Sequence, residues 1–233
     1  MGCHRCASPA CDNCYARAWA LRFGQSFAPH LSTHRRVPKT GVVFCGNMTD
    51  LFGPWLTTTA SWNYIYACSP TDVNRKATYL WLTKRPSRMG EACRMGYVDM
   101  SRHWFGFTGE NQEFFNQRLF GAVANMPQGT NLWASVEPLL GCVDLMECDP
   151  GQLGRLDWIV VGCESGPQRR PCPLEWVERL VAQCRDLRIP VFVKQLDIDG
   201  KCVVDIKKFP EHLRIRQVPW AKGNTEEAEE EQT

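Results

Sequence analysis

The sequence predicts an α/β fold in which helices cover a parallel sheet. Three observations lead to this prediction. Six short apolar runs have the length and composition of buried strands. Stretches with the composition of helices lie between most of these runs. Polar or charged residues follow each run, as they do where the strands of a parallel sheet end at a ligand site.

The predicted strands are continuous apolar runs, which favours burial on both faces of the sheet. They are Gly41–Gly46, Tyr79–Thr83, Trp104–Thr108, Asn131–Glu137, Leu156–Gly162 and Pro190–Lys194. Right-handed crossovers leave two arrangements for such strands, an open doubly wound sheet and a barrel. The sequence pattern alone does not distinguish between them.

The predicted helices begin directly after a cysteine-rich start. Tyr15–Phe23 is rich in good helix formers and is followed by Gly24, as a helix with a glycine C-cap is. The later helices are Pro54–Ala67, Ser87–Met95, Asn111–Asn125 and Leu174–Leu187, with a shorter one after Pro150.

The composition indicates one domain and a cytoplasmic location. The chain has 233 residues, 44% of them hydrophobic, which is enough for one sizeable core. We expect a single domain over residues 1–220, whose residues 1–24 form an N-terminal cluster-binding loop. No run approaches the roughly 18 to 20 apolar residues of a membrane span, and no charged segment followed by an apolar run opens the chain. We therefore expect no membrane partner and no export.

The charge is unevenly distributed along the chain. Five glutamates lie within residues 221–233, which we expect to form an acidic, disordered tail. Without those five glutamates the formal net charge of the rest is +7 instead of +2. This moderately basic part permits a nucleic-acid partner without requiring one. A basic stretch of His34, Arg35, Arg36 and Lys39 fits that partner, although it also fits an exposed loop, and a partner protein is equally compatible with the sequence.

Four of the thirteen cysteines fall within twelve residues, in the segment GCHRCASPACDNCY. They are Cys3, Cys6, Cys11 and Cys14, with the spacing C-x2-C-x4-C-x2-C. Thiolates this close in sequence can converge on one metal centre. Four-thiolate zinc sites usually pair two distant CxxC segments, whereas iron–sulfur clusters accept several cysteines from one loop. The spacing favours an iron–sulfur cluster, with zinc and unligated or redox-active thiols as the alternatives.

The number of bound cysteines decides what such a cluster does. With three thiolates, one iron stays open and can bind a substrate or S-adenosylmethionine. With four, the cluster is closed and is more typical of a structural or electron-carrying role. His4 is an additional candidate ligand, or a hydrogen-bond donor beside the ligands.

Several segments resemble a known family. They are GCHRCASPACDNCYA at residues 2–16, VFCGNMTDLF at 43–52, LWLTKRPSRM at 80–89, GENQ at 109–112, WASVEPLLG at 133–141, DWIVVGCESGPQRRP at 157–171 and FVKQ at 192–195. On these segments the chain resembles a phage-associated family of three-cysteine-motif proteins that is itself similar to radical S-adenosylmethionine enzymes.

The resemblance implies a [4Fe–4S] cluster bound by three cysteines on a partial TIM-like (β/α)6 barrel with parallel strands. The last two family cysteines correspond to Cys11 and Cys14, and the first corresponds to Cys3 if Cys6 is an insertion. Seven residues separate Cys3 from Cys11 and four separate Cys6 from Cys11, where the family usually has six. The spacing also differs from the C-x3-C-x2-C of radical enzymes. Use of S-adenosylmethionine is therefore an expectation that the cysteine spacing does not itself support.

The residues that follow the strands form the predicted site. They are Asn47, Lys84, Arg85, Glu110, Asn111, Glu137, Glu164, Ser165, Lys194 and Gln195. The candidate catalytic residues are Glu137 and Glu164, which can bind an amino group or move a proton, and Lys84 and Lys194, which can hold a phosphate or carboxylate. Alternatively, these acids and bases simply pair with one another in the mouth of the barrel.

Overall fold

A computed structural model describes residues 2–30, 37–68, 76–97 and 99–221. Its strands are β1 (Val42–Cys45), β2 (Thr78–Thr83), β3 (His103–Thr108), β4 (Asn131–Val136), β5 (Trp158–Gly162), β6 (Val191–Ile198) and β7 (Lys201–Val203). All six predicted strands are confirmed. The short β7 was not predicted; it follows a turn at Asp199 and Gly200, both of which have positive φ. An Asp-Gly pair is a strong hairpin signal.

The helices lie close to their predicted positions. They are α1 (Tyr15–Arg22), α2 (Thr58–Cys68), α3 (Pro86–Cys93), α4 (Gln112–Asn125), α5 (Pro150–Leu153) and α6 (Leu174–Asp186). Helix α2 begins four residues later than Pro54, because the preceding residues form a turn in which Leu56 N donates to Gly53 O. The predicted tail lies outside the described residues, apart from its first residue, Ala221.

The sheet order is β1-β2-β3-β4-β5-β6-β7. Strands β1 to β6 pair in parallel with their neighbours, and β7 pairs antiparallel with β6. The order never reverses, so the sheet has no switch point and is not doubly wound. It curls instead into a half-barrel with a concave and a convex face.

The convex face and the helices enclose the main core. Tyr79, Trp81, Phe105 and Phe107 are almost fully buried there. Helix α6 contributes Val177, Leu180, Val181 and Cys184, whose spacing at i, i+3, i+4 and i+7 forms one apolar stripe. Each fully buried large apolar side chain stabilises the fold by roughly 1.5–3 kcal/mol.

A second apolar cluster fills the concave face near the amino ends of the strands. It consists of Leu80, Trp104, Trp133, Trp158 and Val160, with Leu82, Phe192, Val218 and Trp220 packed against it. Gly106 makes room for it, since a Cβ there would lie 2.3 Å from Cε2 of Trp133. That indole is fixed by donation from its Nε1 to Trp104 O at 3.1 Å.

The two ends of the described chain close opposite ends of the half-barrel. Trp220 packs on Trp158 at a centroid distance of 5.0 Å, at the start of β5. The segment before α1 lies over the carboxyl ends of the strands, where Gly2 N donates to Met48 O. No helix in the described ranges is long and apolar enough to cross a membrane.

Candidate functional site

A cavity of about 390 Å³ occupies the concave face at the carboxyl ends of the strands. Its inner wall is apolar and includes Phe44, Trp133, Trp158 and Phe192. Its rim is polar and charged. Both outer parallel strands, β1 and β6, contribute to the wall, so the cavity extends across the whole curled sheet.

Cys3, Cys6, Cys11 and Cys14 all line this cavity. Sγ of Cys6 lies 3.4 Å from Sγ of Cys11. Cys14 is the N-cap of α1, and its side chain makes no capping hydrogen bond. None of the thirteen cysteines, all within the described ranges, forms a disulfide. Among the described residues, no three His, Cys, Asp or Glu side chains are grouped tightly enough to hold a single metal ion.

The contact between Cys6 and Cys11 separates the acidities of the two thiols. The hydrogen bond from Cys6 lowers the pKa of Cys11 to about 6, and the charge of Lys84 acts in the same direction. The same hydrogen bond, together with burial, raises the pKa of Cys6. Burial also raises the pKa of Cys3. The contact therefore favours a thiolate at Cys11 and a protonated thiol at Cys6.

The cysteine loop is attached to the ends of several strands. The hydrogen bonds that make this attachment include Gly2 N to Met48 O at 3.2 Å, Arg85 Nη2 to His4 O at 3.0 Å, Ser8 Oγ to Glu110 Oε1, and Arg170 Nη2 to Pro9 O at 2.9 Å. The residues that bond to the loop follow strands β1, β2, β3 and β5 in the chain; they are Met48, Arg85, Glu110 and Arg170, respectively. The position of the thiols consequently depends on the assembled half-barrel.

Glu110 is the fully buried centre of one of these attachments. Its carboxylate accepts from Ser8 and from the buried guanidinium of Arg118 on α4. Nζ of Lys84 lies 3.5 Å away. One carboxylate thus faces two cations, Arg118 and Lys84, so this group of three side chains carries a net positive charge beside the thiols.

Two further carboxylates on the rim are paired with cations. Glu137 accepts from Nζ of Lys194 at 2.7 and 3.0 Å. Glu164 accepts from Arg170 and from Nδ2 of Asn13, the latter at 3.1 Å. Burial by itself raises the pKa of Glu164, but these hydrogen bonds outweigh it and hold the pKa below its usual range.

Asp50 connects the ends of β1 and β2. Its carboxylate accepts from Thr83 Oγ1 and from Nη1 of Arg85, each at 2.8 Å. Arg85 is thereby aimed at the cysteine loop, where it reaches His4 O.

The predicted site residues divide into two groups. Those that line the cavity with the cysteines are Asn47, Lys84, Arg85, Glu137, Glu164, Ser165 and Lys194. Those outside its wall are Glu110, Asn111 and Gln195. Asn111 caps α4 by accepting from Phe114 N at 3.0 Å. Gln195 follows Lys194 in β6, and successive side chains of a strand point to opposite faces, so it turns away and donates to Cys163 O. Of the predicted basic stretch, only Lys39 lies among the described residues.

A comparison with known protein families gives one result. Residues 1–211 match the family model described as "Protein of unknown function (DUF5131)". The chain belongs to the DUF5131 family. No curated protein and no solved structure matches this DUF5131 chain significantly.

The residues of the DUF5131 site that the sequence did not reveal are the partners of the rim carboxylates. They are Ser8, Asn13, Arg118 and Arg170. Arg118 is recognisable only afterwards, as an arginine among apolar residues on the inner side of α4. Arg170 lies in the segment ESGPQRRP, which begins with the predicted Glu164. This closeness to a predicted site residue is the sequence signal that could have identified Arg170.

Proposed function

We propose that this DUF5131 protein binds a [4Fe–4S] cluster with the cysteines of its N-terminal loop. The observation that carries the proposal is that four thiols from one loop, those of Cys3, Cys6, Cys11 and Cys14, open on the same cavity. All four thiols come from one short loop, which favours an iron–sulfur cluster over zinc, because four-thiolate zinc sites usually pair two distant CxxC segments.

The charges around the loop support an anionic centre. The hydrogen bond with Cys11 and burial raise the pKa of Cys6, and the charges of Lys84 and Arg85 oppose that rise. Lys84 also acts to lower the pKa of Cys11, so these cations favour thiolates. Cys14 begins α1, and the exposed N–H groups at a helix N-terminus favour negative charge. Thiolate ligands and the inorganic core of a cluster need this compensation.

The architecture is proposed to be a partial TIM-like (β/α)6 barrel. Six parallel strands in sequential order support this assignment, as does a cavity at their carboxyl ends. The likeness to radical S-adenosylmethionine enzymes belongs to the same proposal.

Three thiolates and one open iron are required for radical chemistry. When bound in this way, a reduced cluster supplies the electron that cleaves S-adenosylmethionine. The residues of the chain would hold the cosubstrate: Lys194 would bind its carboxylate and Glu137 its ammonium group, in place of the direct ion pair that the two side chains make at 2.7 Å. Glu164 stays ionised and would accept a hydrogen bond from the substrate.

A closed cluster with a structural or electron-transfer role is the second candidate. The contact of Cys6 with Cys11 favours it, because Cys6 is then positioned to contribute a fourth thiolate. The two candidates differ only in whether one iron is open.

Purification without oxygen tests both candidates. We expect a coloured protein with iron–sulfur charge-transfer absorption and an EPR signal after reduction. A change of that signal on addition of S-adenosylmethionine supports the open cluster, and an unchanged signal supports the closed one. A colourless protein with stoichiometric zinc, or with no metal, contradicts the proposal.

Single substitutions identify the ligands. We expect Cys11→Ala and Cys14→Ala each to abolish the iron–sulfur absorption. Either Cys3→Ala or Cys6→Ala alone should abolish it if three thiolates bind, and both should impair it if four bind. Cys142→Ala, outside the cavity wall, is the control and should retain the iron.

A further inference from the structure

Helix α1 has large side chains on its outside and small ones on its inside. Ala16 and Ala20 are buried against the body of the protein. Tyr15, Trp19 and Phe23 are 55%, 43% and 57% exposed, respectively. Their spacing of four residues places them in one stripe along the helix. A contiguous exposed apolar surface of this kind marks a binding site.

The aromatic stripe is bordered by positive charge. The helix sequence YARAWALR contains no acidic residue, and its exposed Arg22 lies beside Tyr15 around the helix, whereas the exposed Arg17 lies on the side opposite the stripe. The guanidinium of Arg22 lies 5.9 Å from the centroid of the Phe23 ring. Aromatic faces combined with an arginine fit a ligand that offers both flat rings and negative charge, as single-stranded nucleic acid does.

The stripe continues into the cavity. Tyr15 lines the cavity rim, and Phe44 and Trp133 lie further inside. The rings of Phe44 and Trp133 are 6.2 Å apart and nearly perpendicular. Phe44 remains 41% exposed, so a ring face is accessible to a ligand there.

We propose that single-stranded nucleic acid binds along α1, with its bases on Tyr15, Trp19 and Phe23 and its phosphates beside Arg22. One base then enters the cavity past Tyr15. A duplex does not fit, because its bases stack on one another and offer no free faces. Binding to α1 is independent of the cluster, and only the position of the entering base beside the cysteine loop rests on the proposed function.

Fluorescence anisotropy with a labelled oligonucleotide of roughly 12 nucleotides tests the proposal on the anaerobically purified protein. We expect Trp19→Ala to weaken binding by roughly 5- to 150-fold, the range for loss of one stacked base. Arg22→Gln should reduce the slope of log affinity against log salt by about 0.7, whereas Arg17→Gln, on the opposite side of the helix, should leave it unchanged.

Two variants serve as matched controls. Phe120→Ala removes a 61% exposed aromatic side chain from α4, and Arg185→Gln removes an exposed charge from α6. Neither should change the affinity. A duplex of the same sequence should bind much more weakly than the single strand.

Three results overturn the proposal: no binding at low salt, equal binding of duplex and single strand, or equal effects of Trp19→Ala and Phe120→Ala. The first of these leaves a partner protein as the occupant of the stripe. Iron content, read on the same samples, separates the two proposals. Iron without oligonucleotide binding contradicts this one alone, whereas oligonucleotide binding without iron contradicts only the cluster.

Discussion

Glu110 was predicted to belong to a ligand site, and its contacts in the structure link the cysteine loop to α4. The sequence places it after β3, and it lies fully buried between the cysteine loop and α4, where it accepts from Ser8 and Arg118. A buried ion pair of this kind is costly to break from one side, because the remaining charge has no partner. The sequence predicts the strand end but not its partners, since contacts between distant segments leave no local pattern.

We expect Glu110→Ala to lower the free energy of unfolding by about 3–5 kcal/mol, because it leaves the Arg118 guanidinium buried without its carboxylate. Urea denaturation followed by far-UV circular dichroism measures the change. Ser8→Ala, which removes only one hydrogen bond to the same carboxylate, should cost about 1–2 kcal/mol. Equal costs for the two variants would show that the ion pair contributes nothing.

His103 provides a pH-dependent contribution to stability. Burial lowers the pKa of His103 to about 4, compared with an ordinary value of 6.5. Its Nδ1 accepts from Nε1 of Trp81 at 3.0 Å, an acceptor role that requires that nitrogen to be unprotonated. Between pH 6.5 and 4 the unfolded chain binds a proton at this residue and the folded protein does not. The free energy of unfolding therefore falls with decreasing pH over this window, by about 3 kcal/mol.

The variant His103→Asn should remove this part of the pH dependence. An amide oxygen can still accept from Trp81, but the side chain no longer titrates. Urea denaturation between pH 7 and 4 should give a shallower loss of stability for the variant than for the unsubstituted protein. Parallel curves for the two proteins would contradict the assignment to His103.

At the scale of elements, the sequence predicts the buried strands well and the elements that depend on local turns less well. All six parallel strands are continuous apolar runs; β2 to β5 are buried on both faces, whereas β1 and β6 keep some exposed residues. The elements that differ are held by local chemistry instead. Strand β7 depends on the turn at Asp199–Gly200, and the later start of α2 depends on the turn that precedes it.

Gly106 in β3 gives a test of how the concave cluster is packed. We expect Gly106→Ala to destabilise the protein by about 1–3 kcal/mol, because the new methyl group overlaps the indole of Trp133. Calorimetry or urea denaturation measures the loss.

A double-mutant cycle shows whether Trp133 is the cause. In a Trp133→Leu background the same Gly106→Ala substitution should cost much less, because the smaller side chain leaves space. Additive costs would mean that the strain arises elsewhere.

At the scale of the whole molecule, the attachment of the cysteine loop links metal binding to global stability. The loop contacts residues after four strands, so a ligand held by its thiols favours the folded state over the unfolded one. We expect removal of the proposed cluster to lower the melting temperature by roughly 10 °C. Anaerobic differential scanning fluorimetry before and after chelation measures the shift. Cys14→Ala should melt at the same temperature with or without added iron and sulfide.

The same attachment sets an order of events during synthesis. The cysteine loop leaves the ribosome before the strands that hold it, because Asn13 bonds to Glu164 and Pro9 to Arg170, which are 151 and 161 positions later in the chain. The nascent chain therefore exposes its four thiols before the last strands can complete the rim around them. If the proposed cluster binds, its iron and sulfide are expected to arrive only after most of the chain has been made.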